Sequence, residues 1–233
     1  MQEDYAKEFY MHTDSIKALK AEWKGIFLFI KHISQEDIEA EFENLVTRYS
    51  EPHRHYHTLK HIEDCLHLLN DSSEANHIAV HKNELALAIW YHDAVYDTRA
   101  KDNEAQSAEL FTEFAKKVGL DEWTIKRVCG WILASTHTGK ALESDQTFLF
   151  LDIDLSVLGA DLETYATYDR HIREEYVWVP EADYIAGRTK VLQSFLDRPH
   201  IFRTEKFRQA FEQRARENIT LSLAALREGR LYC

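Results

Sequence analysis

An all-α fold is predicted, on three observations. Apolar residues recur at spacings of three and four through most of the chain, the period of a helix packed on one side. Only seven glycines and three prolines punctuate 233 residues, so long stretches lack the residues that break helices. No segment of strand length alternates apolar with polar residues, and no internal repeat or low-complexity tract is visible.

Taken in order, residues 15–29 and 35–49 form two amphipathic scaffold helices. Ser34 stands as N-cap of the second, with Asp37 three positions on in the manner of a capping box. Helical periodicity then runs through 57–69, 83–96, 103–118, 122–135 and 147–158, and the chemistry-bearing residues fall in this middle block. Residues 162–178 and 182–196 follow, and a long charged helix over 205–227 ends at Gly229, placed to act as C-cap. No linker divides the chain.

With 45% hydrophobic and 12% aromatic residues, a chain of this length buries a sizeable core without staples. Cys65, Cys129 and Cys233 are odd in number, widely spaced and form no CxxC pair, which points to neither a disulfide framework nor a zinc knuckle. The first residues, MQEDYAKEFYMHTD, are polar and acidic where a signal peptide is basic and then apolar, and no stretch approaches the roughly 18 apolar residues of a membrane span. A cytoplasmic protein without a membrane partner is expected. The formal charge of −12 argues against a broad nucleic-acid-binding face, which needs clustered Lys and Arg. A small anionic substrate would need a local cationic device, and a bound metal ion with a few arginines is one.

Three elements suggest such a site. Five of the thirteen histidines lie in EPHRHYHTLKHIEDCLHLL, where a helix would set His57 and His61, four apart, on one face. A solvated, polar helix start is the alternative there. In AIWYHDAVYD an apolar run leads into adjacent His92 and Asp93, with Asp97 one turn on; imidazole and carboxylate together suit a divalent ion, whereas an exposed helix end would leave both acids facing water. In TFLFLDIDLSVLGAD, Asp152 and Asp154 interrupt an apolar stretch, and a buried carboxylate favours a cationic partner. The two point roughly 200° apart on a helix of 3.6 residues per turn, so only one is expected to be a ligand.

The ordered set His61, His92-Asp93, Asp154 resembles the HD superfamily, named for the adjacent His-Asp pair that ligates a divalent metal. The resemblance extends to the bacterial group described as predicted metal-dependent HD phosphohydrolases, through RxYHxLxHI, HDxVYD, NExxSA, DxDLSxLG and IRxEY. These are carried by Arg54, Tyr56, His57 and His61; His92, Asp93, Tyr96 and Asp97; Asn103, Glu104 and Ser107; Asp152 and Asp154; and Arg173, Glu175 and Tyr176. It implies an HD-domain helical array, one domain over 1–233 with 1–50 and 180–233 as flanking scaffold helices. It also implies one divalent ion (Mn, Fe, Co, Ni, Zn or Mg) on His61, His92, Asp93 and Asp154, with Asp152 as fallback for the last ligand. The implied activity is hydrolysis of a phosphomonoester or phosphodiester, with a nucleotide as expected substrate.

By the same resemblance His57 takes the place of a proton donor. Asp97 matches the second acid of HDxxED, used in guanosine tetraphosphate hydrolases to orient water, but Tyr96 replaces the first acid. Glu104 is the other candidate base, and with Asn103 it could equally be a charge-complementary helix start. Arg54 and Arg173 are candidates to hold phosphoryl oxygens, with Lys140 after them; a salt bridge is the competing role for either arginine. His137 is expected as a substrate contact, with a helix-end histidine as the alternative. The other expectations are a metal-retaining binding protein without turnover and a hydratase or oxygenase. GxSxG, GxxxxGK[ST] and HExxH are all absent. The long C-terminal helix is compatible with a homodimer.

Overall fold

A computed structural model describes residues 2–28, 30, 33–72, 81–136 and 143–230, with side chains from Asp14 onward. The expected all-α class holds, and no strand occurs among the described residues. The helices are α1 Gln2–Ile26, α2 Gln35–Tyr49, α3 Leu59–Asp71, α4 Lys82–Tyr91, α5 Asn103–Lys117, α6 Glu122–Ala134, α7 Asp145–Asp154, α8 Leu162–Glu175 and α9 Glu181–Leu196. A 3-10 turn, Leu155–Gly159, prolongs α7. The last helix, α10 over 205–227, carries a π-helical segment at Arg208–Glu212. Among the described residues no helix is long and apolar enough to cross a membrane.

The hub is α4. Every residue from Leu85 to Tyr91 is buried, as expected of a helix that is apolar on all sides, and α1, α3, α5, α6 and α7 pack around it. The N-terminal helices belong to the same core. Trp23, fully buried, lies 5.0 Å from Phe27, 5.5 Å from Trp90 and 5.7 Å from Phe114 between ring centroids. Its indole N–H donates to the Ile38 carbonyl at 2.8 Å, and the Tyr49 hydroxyl donates to the Trp90 carbonyl at 2.9 Å. One buried cluster extends from Leu19 to Leu226.

Caps fall largely where the side chains direct them. The Ser34 hydroxyl accepts from the Asp37 N–H at 3.4 Å, but the Asp37 carboxylate pairs with Lys117 at 2.7 Å, so the capping box is half made. Gly229, at φ 67°, turns the chain out of α10, and the Arg230 N–H closes on the Ala225 carbonyl at 3.0 Å, as a left-handed C-terminal residue permits.

Two boundaries differ from expectation in ways that shape the site. Helix α4 stops at Tyr91, not Tyr96: the Ala94 N–H closes a tighter turn on the Tyr91 carbonyl at 3.0 Å, and the Val95 N–H, which a longer helix would send to that carbonyl, goes to the Ser107 hydroxyl at 3.0 Å. The Arg54 guanidinium then ties the turn through the carbonyls of Asp93 and Ala94 at 2.7 and 3.1 Å. Helix α3 begins at Leu59 behind the N-cap Thr58, so His57 precedes it. The backbone N–H groups of His55, Tyr56 and His57 instead donate to one carboxylate oxygen of Glu175, at 2.9, 2.8 and 2.9 Å in turn.

Candidate metal centre

His61 on α3, His92 just past α4 and Asp154 at the end of α7 converge from three helices that pack on one another. Both imidazoles are buried, and the ligand atoms of the three residues all lie within 4.8 Å of one another. The two Nε2 atoms are 3.3 Å apart, and each lies 3.4 Å from Asp154 Oδ1. Bonds of about 2.0–2.2 Å to one ion, opened to angles near a tetrahedron's, set neighbouring donors roughly 3.3–3.6 Å apart. The donor set therefore fits a divalent metal ion in type and spacing, and these three residues could hold one.

The histidines are oriented for that task. His92 Nδ1 sits 2.8 Å from the Ile89 carbonyl; a carbonyl only accepts, so Nδ1 carries a proton and Nε2 is the nitrogen turned toward the cluster. Asp93 Oδ2 lies 3.0 Å from His92 Nε2 and 3.9 Å from His57 Nε2, beside the three-residue group.

Carboxylates and imidazoles in the site shift one another. Burial would raise the Asp93 carboxyl, but His92 and His57 hold it well below the usual range. Burial would lower His92, yet Asp93 and Asp154 push it well above an ordinary histidine. His57 is raised in the same way, by Asp93 and Glu175 against its burial. A cation placed among these groups would experience the same attraction.

His57 and Glu175 form a dyad. Nδ1 of His57 lies 2.7 Å from Glu175 Oε2, which also accepts from the Tyr96 hydroxyl at 2.8 Å. Burial opposes ionisation of Glu175, but His57 and the backbone N–H groups of His57 and His55 outweigh it and bring its carboxyl down to about 2. The rings of His57 and His61 end 5.9 Å apart, although no shared helical face brings them together.

A cavity of about 530 Å³ opens on the cluster, lined by His57, His92, Asp93 and Asp154, by Glu104 of α5, and by Arg188 of α9. The remaining candidates lie elsewhere. Asp97 is exposed, accepts from the Arg99 N–H at 2.8 Å, and is clamped through its backbone by Asn103; it lines a different surface groove. Arg54 is buried, with Nε on Glu51 and its other nitrogens on the carbonyls of His57, Asp93 and Ala94, so it ties the turn after α4 instead of facing the cavity. Arg173 donates to the carbonyls of Tyr176 and Val179 and lies over the Tyr184 ring at 4.7 Å. Asp152 accepts from the N–H groups of Arg203 and Thr204 and from the Thr204 hydroxyl, each at 2.7 Å; it ties down the residues leading into α10 and is not among the converging donors. His137 and Lys140 lie outside the described residues.

Two contributors had no assigned role from sequence. Glu175 stands in the IRxEY motif, which marked its position but not its partner. Arg188 lies in no motif; only its place in a buried helix face brings it to the cavity. No protein-family model matches the chain, and no curated protein or solved structure matches it either.

Proposed function

We propose that this chain is a metal-dependent hydrolase of phosphate esters, with a nucleotide as the preferred substrate class. The carrying observation is the convergence of His61, His92 and Asp154 at donor spacing, with His92 and Asp154 on the wall of a cavity that also presents His57. The resemblance to the HD superfamily supplies the phosphoester. His61, His92 and Asp154 would hold the ion, with Asp93 adjacent. A bound divalent ion would supply Lewis-acid polarisation and lower the pKa of water.

The chain's own residues divide the remaining work. Glu175 fixes the His57 ring through Nδ1 and leaves Nε2 toward Asp93 and the cavity. A protonated His57, favoured by the same carboxylates, is suited to give its proton to a leaving oxygen. Glu104, which lines the cavity, is the carboxylate positioned to accept a proton from water; Asp97 is engaged outside it.

The test is elemental analysis of the purified chain and of Asp154→Ala and Asp93→Ala, followed by phosphate release across a nucleotide panel with added divalent ions. About one ion per chain, lost in Asp154→Ala together with phosphate release, supports the proposal. No metal under any condition overturns it. Metal without phosphate release favours a substrate lacking phosphate, a reading to which the pinning of Arg54 and Arg173 on backbone carbonyls lends weight.

A further inference from the structure

Helix α9 forms a wall of the cavity that carries no metal donor. Its residues Tyr184, Gly187, Arg188, Val191 and Phe195 all line the space. Val191 is 47% exposed and Gly187 is exposed beside it, so this side is the open lip. A Cβ built on Gly187 meets nothing within 4 Å, which leaves room at the lip that any side chain would reduce.

Arg188 is buried at 9% exposure. Its Nε and Nη2 both donate to Asp169 Oδ1, at 3.1 and 2.8 Å, and its guanidinium lies 5.2 Å from the Tyr168 ring centroid. Nη1 makes no hydrogen bond among the described residues, although the residue faces the cavity. A buried guanidinium with one uncommitted nitrogen and its charge already balanced by a carboxylate is a donor for an uncharged acceptor. A second anion is disfavoured there because Asp183 lines the same wall.

The rings complete the surface. Tyr168 packs on Tyr56 at 4.6 Å, and Tyr56 packs on His61 at 4.9 Å. Tyr56, Tyr168, Tyr176 and Tyr184 thus line the cavity between Arg188 and the donor group, and aromatic walls with a few placed donors favour ring-bearing ligands. We infer that the α9 lip, through Gly187, Arg188 and Tyr184, recognises the non-reacting end of the substrate, an uncharged planar ring bearing a hydrogen-bond acceptor. This builds on the reading of the cavity as a substrate site and assigns its specificity to residues that play no part in holding a metal.

The experiment is calorimetric titration of the full chain and of Gly187→Leu with the four ribonucleosides, their 5′-monophosphates and ribose 5-phosphate. At least one ring-bearing monophosphate should bind about ten-fold or more tightly than ribose 5-phosphate. Gly187→Leu should erase that preference and leave ribose 5-phosphate unchanged. Gly187→Ala, which removes a glycine from a helix interior, should melt no lower than wild type, separating recognition from folding. Equal binding of ring-bearing and ring-free probes, no binding of any ring-bearing probe, or an equal loss of both in Gly187→Leu would overturn the inference. Ring-dependent binding of nucleosides without metal or phosphate release would sink the hydrolase reading and leave the lip; phosphate release indifferent to the ring and to Gly187→Leu would do the reverse.

Discussion

Glu175 shows how much one buried side chain can organise. Its two oxygens serve three backbone N–H groups, the His57 ring and the Tyr96 hydroxyl. Its carboxyl is brought from 4.5 down to about 2, so its stabilisation is fully present above about pH 4.5 and is lost as pH falls toward 2, about 3 kcal/mol in all. Glu175→Gln should therefore lower stability at neutral pH and flatten its decline between about pH 4.5 and 2, read by denaturant titration at each pH. An unchanged profile would remove Glu175 from this role. The neighbouring aspartates separate equally cleanly. Asp152→Ala leaves the amides of Arg203 and Thr204 without their acceptor and should cost about 2 kcal/mol, with metal content unaffected; Asp154→Ala should lose metal. Metal loss in the first variant would restore Asp152 as the ligand.

At the scale of elements, the turn after α4 depends on a residue that sequence alone casts as a phosphate contact. Arg54 holds three carbonyls from two segments, and a lysine has no planar fork to replace it. Arg54→Lys should destabilise the fold by about 2–3 kcal/mol through carbonyls left unpaired, measured as a lowered denaturation midpoint. A primary rise in KM with unchanged stability would argue for substrate contact instead. The junction of the 3-10 turn and the π segment of α10 is as tightly defined. A Cβ on Gly159 would come within 2.6 Å of the Phe211 Cβ and carbonyl oxygen, so Gly159→Ala should lower the melting temperature, at a cost of roughly 1–3 kcal/mol.

For the whole molecule, metal and fold should be coupled. The donors come from α3, the end of α4 and α7, and α4 is the hub of the core. An ion that binds only the folded chain stabilises it by about 2.7 kcal/mol at a hundred times its Kd. Added divalent cations should therefore raise the melting temperature of wild type and leave His61→Ala unchanged; equal shifts in both would indicate binding elsewhere. The ring cluster around Trp23 ties α1 to the helix that ends just before His92, so the N-terminal helices support the site as well as the core.

Much of the fold was legible in the chain because helical period and scarce breakers are local properties. Bounds for α2, α5 and α6 follow from them closely; His61 stood out in a dense run of histidines, and His92 and Asp154 as polar groups beside apolar runs. What sequence missed depends on partners distant along the chain. Whether Asp152 or Asp154 faces the donors was decided by the amides of Arg203 and Thr204, some fifty residues away. Where α4 ends was decided by Ser107, which takes the Val95 N–H, and the setting of His57 by Glu175, 118 positions on. Periodicity tells a residue which face it occupies; only packing tells a hydrogen-bonding group which partner it meets, because an arginine or carboxylate serves a backbone, an ion or a substrate with the same atoms.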